Sequence, residues 1–308
     1  MEPNPLPRFE SHPRAGQEGW KGRILYPVLS RRAGGLSLGV NPFPAGKTCN
    51  FDCAYCEVSP FFERSRFDLG LLEEELELFA SLLPRLWPGL LPRDLAISGD
   101  GEPTLSPDLP AILALLAEAR RRWPGIYGGA RLVLITNSTG FLDPQTAALL
   151  AVSAVGEGLE IWAKLDAGDE DWYRRIDRRG PPFEILFEAL VSFAETTPLV
   201  LQSMFCGLAP EGGAPVEAPP EAAVSSWIGR IDELLARGAR ISALHLYTQA
   251  RPAPLGLTAP LTDQRLATLA RRLEARLAES GRALPPLRVF GAEGELDWRA
   301  PALKEGSL

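Results

Sequence analysis

Six short apolar runs, separated by longer stretches with apolar residues at helical spacing, constrain this chain more than any other feature. The runs are Leu36–Val40, Asp94–Ser98, Leu132–Thr136, Leu159–Leu165, Leu199–Phe205 and Ile241–Tyr247. Helices are expected near 70–83, 108–122, 143–151, 183–195 and 222–237. In 108–122, for example, Leu109, Ile112, Leu113, Leu116 and Ala119 form one apolar face. Pro107-Asp108 and Asp143-Pro144 supply helix starts, through a capping acceptor or a proline whose missing N–H costs nothing there. Near-continuous apolar strands alternating with helices predict a parallel sheet covered on both faces. Six such units in series predict an α/β fold of partial (β/α)6 barrel type, similar to part of a TIM barrel.

The expected organisation has three parts. Residues 1–34 read as an irregular lead-in and 35–255 as the barrel. Residues 256–308 read as a C-terminal helix near 262–280 and a short strand at Leu287–Phe290, packed on the barrel. The Pro- and Gly-rich segment 210–220 reads as a mobile loop after the fifth strand. In barrels of this kind the chemistry sits where strands end and lead into helices.

Directly after the first apolar run come Cys49, Cys53 and Cys56, in the order Cys-Asn-Phe-Asp-Cys-Ala-Tyr-Cys. Three thiolates this close in sequence can converge on one metal centre, and soft sulfur ligands suit iron–sulfur clusters or zinc. Structural zinc sites usually have four protein ligands. Here the other candidates are His12, His245 and the remote Cys206, and the asymmetric spacing is not that of a zinc knuckle. A four-iron cubane held by three cysteines leaves one iron open to a small molecule.

A Cys-x3-Cys-x-aromatic-Cys element after a first strand resembles the signature of the radical S-adenosylmethionine (SAM) superfamily. That resemblance implies a radical SAM type of barrel with a [4Fe–4S] cluster on Cys49, Cys53 and Cys56 and SAM as cofactor or co-substrate. It further implies reductive cleavage of SAM to methionine and a 5′-deoxyadenosyl radical that takes hydrogen from a substrate. Tyr55 matches the family's aromatic residue, whose neighbourhood contacts the adenine. Ser98-Gly99-Asp100-Gly101-Glu102-Pro103-Thr104 resembles the family's Gly-Gly-Glu motif with Asp100 inserted. The glycines then let the backbone approach the ligand, and Glu102 accepts from the cofactor's ammonium group. Thr136-Asn137-Ser138 resembles a Thr-Asn-Gly turn, with Asn137 either orienting the cofactor or bracing the turn. The Gly-x-Gly-Glu-Pro-Thr variant, the stretch Ser30–Asn41 and the stretch Tyr247–Pro252 are similar to the branch related to wybutosine synthesis in tRNA. A nucleotide or RNA base is the substrate class this implies, with a peptide or small metabolite as the alternative. Arg251 in the last stretch is a candidate contact for an anionic substrate.

Strand alternation places Lys164 and Asp166 on one side at the end of the fourth run. By position Asp166 resembles the family's ribose-binding residue. Lys164 is a candidate to bind a carboxylate, protonate an intermediate or form an imine, or else simply to pair with Asp166. Cys206, ending the fifth run, is either a small core residue or a hydrogen donor to the substrate. His245 reads as a satisfied core histidine.

Composition excludes rather than selects. The 39 acidic and 32 basic residues give a net charge of −7, which opposes a protein that coats nucleic acid. The start, Met-Glu-Pro-Asn-Pro, does not read as a secretory signal, and Leu76–Leu91 is broken by Pro84, Arg85 and Pro88. A cytoplasmic protein is expected, supplied with electrons by an external flavodoxin- or ferredoxin-type donor. The rival reading is a non-catalytic scaffold that binds zinc or an iron–sulfur cluster.

Overall fold

The computed structural model describes residues 24–59, 66–209 and 217–300. The chain divides into two compact units. One comprises the residues up to Asn50 with Val58–Trp162, the other Phe51–Glu57 with the residues from Ala163 onward. The expected α/β class holds in both, with parallel pairing dominant.

In the first unit, β1 (Leu25–Ser30) and β2 (Gly35–Val40) form an antiparallel hairpin. This strand lies inside the stretch expected to be irregular. It is an edge strand, and Pro27 hides it from a sequence reading because proline in strands is confined to such edges. α1 (Leu69–Leu86) follows, capped by Asp68, whose carboxylate accepts from the N–H groups of Gly70 and Leu71. It buries Leu72, Leu76, Phe79, Ala80 and Leu83, one face at helical spacing. The helix expected near 70–83 runs on through Pro84 to Leu86, and Pro84, having no N–H, leaves the Ala80 carbonyl without its helical donor.

β3 (Asp94–Ile97) is buried at all four positions and leads through a short 3-10 turn at Pro103–Leu105 into α2 (Leu109–Arg122). Asp108 does not cap α2 with its side chain as expected. Its own backbone is already helical, which turns the carboxylate away from the free N–H groups. The single-turn α3 (Pro124–Tyr127) precedes β4 (Arg131–Thr136). Asp143 does cap α4 (Pro144–Gly156), accepting from the N–H of Thr146 at 2.9 Å. β5 (Leu159–Lys164) begins in this unit, and its last two residues belong to the second. β2, β3 and β4 pair parallel in register, with β5 next to β4.

The second unit contains α5 (Glu170–Ile176), α6 (Phe183–Thr196), β6 (Leu199–Met204), β7 (Cys206–Leu208) and α7 (Glu221–Ala236). Next come β8 (Ile241–Tyr247), β9 (Thr258–Pro260), α8 (Asp263–Glu279), β10 (Leu287–Phe290) and β11 (Glu295–Leu296). β6, β8 and β10 are parallel, so the short strand expected at the end of the chain does join the sheet. The end of β5 runs on beside β6, where the N–H of Leu165 donates to the Gln202 carbonyl at 2.9 Å. Most of the segment expected to be a mobile loop, residues 210–216, lies outside the described residues, as do 1–23 of the lead-in. The near flanks of that segment are joined by an antiparallel bridge between Leu208 and Glu217.

α5 has no counterpart among the expected helices. At seven residues it is too short for a periodicity test, but its charges mark it. Asp169 caps the start, Glu170 and Asp171 occupy the first turn, and Arg174 and Arg175 the last. No helix among the described residues is long and apolar enough to cross a membrane.

Candidate metal and cofactor site

The candidate residues fall into two clusters, one in each unit. The chain passes from the first to the second between Asn50 and Phe51.

In the first cluster the Gly-rich turn is packed against the backbone leading into Cys49. Thr48 and Gly101 form a parallel bridge: the Thr48 N–H donates to the Asp100 carbonyl at 2.9 Å, and the Glu102 N–H donates to the Thr48 carbonyl at 2.8 Å. A Cβ on Gly101 would lie 1.9 Å from the Thr48 carbonyl oxygen, so only glycine fits. Gly99 has φ +134, and a Cβ there would meet the Asn41 amide at 2.8 Å. The close approach expected toward a ligand is thus made toward the chain itself. Asn41 donates from Nδ2 to Asp100 Oδ2 at 2.6 Å and accepts from the Asp100 N–H at 3.1 Å. Burial raises the Asp100 pKa, against the pull of Asn41.

Glu102 is 2% exposed. Its Oε1 accepts from Thr104 N at 3.1 Å, Thr104 Oγ1 at 2.7 Å and Thr136 Oγ1 at 2.6 Å, and Oε2 accepts from Asn137 N at 2.6 Å. Burial outweighs these donors and raises its pKa. A carboxylate offers about four acceptor positions. Here four donors from the chain occupy them, so Glu102 ties the Gly-rich turn to the end of β4. Glu102→Ala strands these donors and should lower stability by about 3 kcal/mol, read as a lower urea midpoint. A variant with an unchanged midpoint would remove the bracing role.

In the second cluster Cys53 and Cys56 are half-buried, and the Cys56 N–H donates to the Cys53 carbonyl at 3.0 Å. The Cys53 thiol donates to Asp177 Oδ1 at 3.3 Å. Burial, then the Asp177 charge, push that thiol's pKa up, and burial likewise raises Asp177. Asp177 is absent from the sequence-based candidates, since an Asp in an Arg-rich stretch carries no motif.

Lys164 and Asp166 do pair, Nζ to Oδ2 at 2.9 Å. Asp166 also accepts from the Tyr55 hydroxyl through a very short bond and from the Met204 N–H at 2.7 Å. Lys164 donates to the Tyr247 hydroxyl at 2.8 Å and lies 4.5 Å from the Tyr55 ring centroid. Burial presses Lys164 toward the neutral amine, but the charge of Asp166 and the Tyr247 contact prevail and its pKa is raised. An imine-forming lysine needs the opposite, a free amine, so this arrangement disfavours that role.

Cys206 is 1% exposed, and burial pushes its thiol up to about 12. The thiolate is the reactive form. Iodoacetamide at pH 8 should therefore modify exposed Cys49 readily and leave Cys206 unmodified until the protein is unfolded, as peptide mapping would read. Equal labelling would mean that Cys206 is accessible. Arg251, a candidate for an anionic substrate, is engaged by Glu57, Nε at 2.8 Å and NH2 at 2.6 Å from Oε2. His245 is buried as expected, 3.2 Å from the Gln202 amide and edge-on to Phe290.

None of the four cysteines is in a disulfide. Among the described residues, no group of three or more His, Cys, Asp or Glu side chains is arranged to hold a metal ion. The donor set nevertheless suits iron–sulfur chemistry, with three reduced thiols on eight residues and an N–H donor 3.8 Å from the Cys49 sulfur.

Known structures and sequences resemble this chain. A radical SAM methyltransferase from Sphaerobacter thermophilus is 15% identical with a TM-score of 0.54, over 84% of this chain and 67% of that one. Coproporphyrinogen III oxidase from Escherichia coli, a radical SAM enzyme, is 16% identical with a TM-score of 0.51, over 79% and 52%. At such identities these neighbours show the fold, and they bear out the expected radical SAM class of α/β architecture. A UPF0026 protein from Helicobacter pylori strain J99 is 28% identical over 56% of this chain and 52% of its own length. A UPF0026 protein from Synechocystis is 30% identical over 59% and 63%. The chain thus spans about half to three-fifths of these curated relatives, and their name does not identify the wybutosine branch. The Radical SAM superfamily model matches residues 43–204, more than half of the 308, and the chain belongs to that superfamily.

Proposed function

We propose that this chain is an enzyme that holds a [4Fe–4S] cluster on Cys49, Cys53 and Cys56 and reductively cleaves SAM. A cluster held there would supply one electron for cleavage of the SAM sulfonium bond, giving methionine and a 5′-deoxyadenosyl radical able to take hydrogen from a substrate. The observation that carries this reading is family membership over the segment that contains the three cysteines, none of them in a disulfide.

The chain's own residues then have distinct tasks. Gly99, Gly101 and Glu102 hold the backbone ahead of Cys49, and Asp100 has acceptor capacity beyond Asn41 for the cofactor's ammonium. Tyr55 and Asp166 offer an aromatic face and a carboxylate to the nucleoside, and Lys164 holds a positive charge beside them. The protonated thiol of Cys206 is in the correct state to give up a hydrogen atom rather than to act as a nucleophile. The electron comes from a flavodoxin- or ferredoxin-type partner.

The substrate class proposed is a nucleotide or RNA base, supported by the motif resemblance alone. In its disfavour, of the four arginines Arg174, Arg175, Arg178 and Arg179 that could meet phosphates, Arg174 is paired with Glu170 and Arg178 lies 3.5 Å from Asp52. The test is anaerobic reconstitution with iron and sulfide, followed by dithionite and SAM. Formation of 5′-deoxyadenosine is expected. Zinc retention, or a cluster that never yields 5′-deoxyadenosine, would favour the scaffold instead. Salt-dependent tRNA binding is expected for an RNA substrate, and its absence at modest salt would leave a peptide or small metabolite.

A further inference from the structure

Asn137 is held on every side. Its backbone N–H is bound to Glu102. The next residue, Ser138, is fully buried at φ 73, a left-handed conformation that non-glycine residues rarely adopt. The Ser138 N–H donates to Thr136 Oγ1 at 3.1 Å, and that hydroxyl donates in turn to Glu102. The side chain is equally constrained. Oδ1 accepts from the Thr139 N–H at 3.0 Å and from its hydroxyl at 2.6 Å. A backbone N–H can only donate, so this contact fixes the amide orientation and turns Nδ2 the other way. Nδ2 donates to Asn50 Oδ1 at 2.7 Å and lies 3.8 Å from the Cys49 sulfur. Asn50 closes the ring by donating from Nδ2 to Thr139 Oγ1 at 2.8 Å.

An asparagine amide has two donor hydrogens and two acceptor lone pairs. Here all four are engaged by protein, which leaves none to orient the cofactor. We propose that Asn137 is a positioning residue for Cys49, locking the first cysteine through Asn50 and donating an N–H to its sulfur. This rests on the reading that Cys49 carries a cluster. Hydrogen bonds to cluster sulfurs are among the factors that set reduction potential, and a donor disperses the charge gained on reduction. Asn137 thereby makes the cluster easier to reduce.

The test compares wild type with Asn137→Ser and the near-isosteric Asn137→Asp after anaerobic reconstitution, counting iron and measuring the midpoint potential. Both variants should keep four irons and show a lower potential, so that less cluster is reduced at a fixed solution potential. A tenfold change in that ratio corresponds to ~59 mV for one electron. Four irons at the wild-type potential would overturn the inference while leaving the cluster reading intact. A wild-type protein that takes up no cluster would overturn both. If the variants lose iron, pulsed EPR on the reduced wild-type protein grown with amide-15N asparagine decides. A 15N coupling that survives in Asn50→Ala is expected, and its absence overturns the inference.

Discussion

Cys53→Ala should abolish assembly of a four-iron cluster while the protein stays folded. The substitution removes one of three thiolates, and the remaining two cannot secure a cubane normally held by cysteine sulfur. The fold loses little, because the half-buried side chain contributes one hydrogen bond from a weak donor, 3.3 Å to Asp177. A loss of about 1 kcal/mol is expected, typical of a point substitution. Cys206→Ala serves as the control, since Cys206 belongs to β7 and should leave iron content unchanged. Iron and sulfide analysis with the absorbance of the reconstituted protein is the measurement. Four irons in Cys53→Ala would remove it from the ligand set.

The largest stability effect is expected at Asp166. Its side chain is 1% exposed and serves three donors, Lys164 Nζ, the Tyr55 hydroxyl and the Met204 N–H. Asp166→Ala deletes the acceptor for all three and leaves the Lys164 ammonium, whose side chain is 16% exposed, without its counter-charge. Breaking a buried pair from one side costs about 3–5 kcal/mol, because the remaining charge has lost water and partner alike. Most domains have only about 5–15 kcal/mol in total, so the urea midpoint should fall by a large fraction. Lys164→Met should cost less, since Asp166 keeps Tyr55 and Met204. The double variant Lys164→Met with Asp166→Ala should cost less than the two single losses added together, the mark of a coupled pair. An Asp166→Ala protein within about 1 kcal/mol of wild type would contradict the network.

Much of the architecture was legible because burial on both faces leaves a plain record. β2 through β6 and β8 fall within a residue or two of the six apolar runs. What escaped were elements whose signals are local or contradictory. β1 carries a proline, α5 is short, and the β7–β9 pairing joins residues about fifty apart, with nothing periodic to mark it. Among the site residues, the pairing of Lys164 with Asp166 followed from strand alternation. The Arg251–Glu57 pair and the role of Asp177 did not, since each joins positions far apart in the chain.

By itself the sequence determined the fold class, the three-thiol set and the residue types around it, because periodicity and spacing are properties of the chain. Only the tertiary structure decided how those residues are used. Glu102 read as a group free to meet a cofactor and Asn137 as either a cofactor contact or a turn brace, and folding engages both in bonds to the chain. Lys164 read as either a substrate-facing amine or a partner of Asp166, and folding pairs it with Asp166. The reason is physical: hydrogen-bond capacity and charge state depend on which partners burial brings within about 3 Å. Those partners come from strands and loops that the linear spacing does not relate.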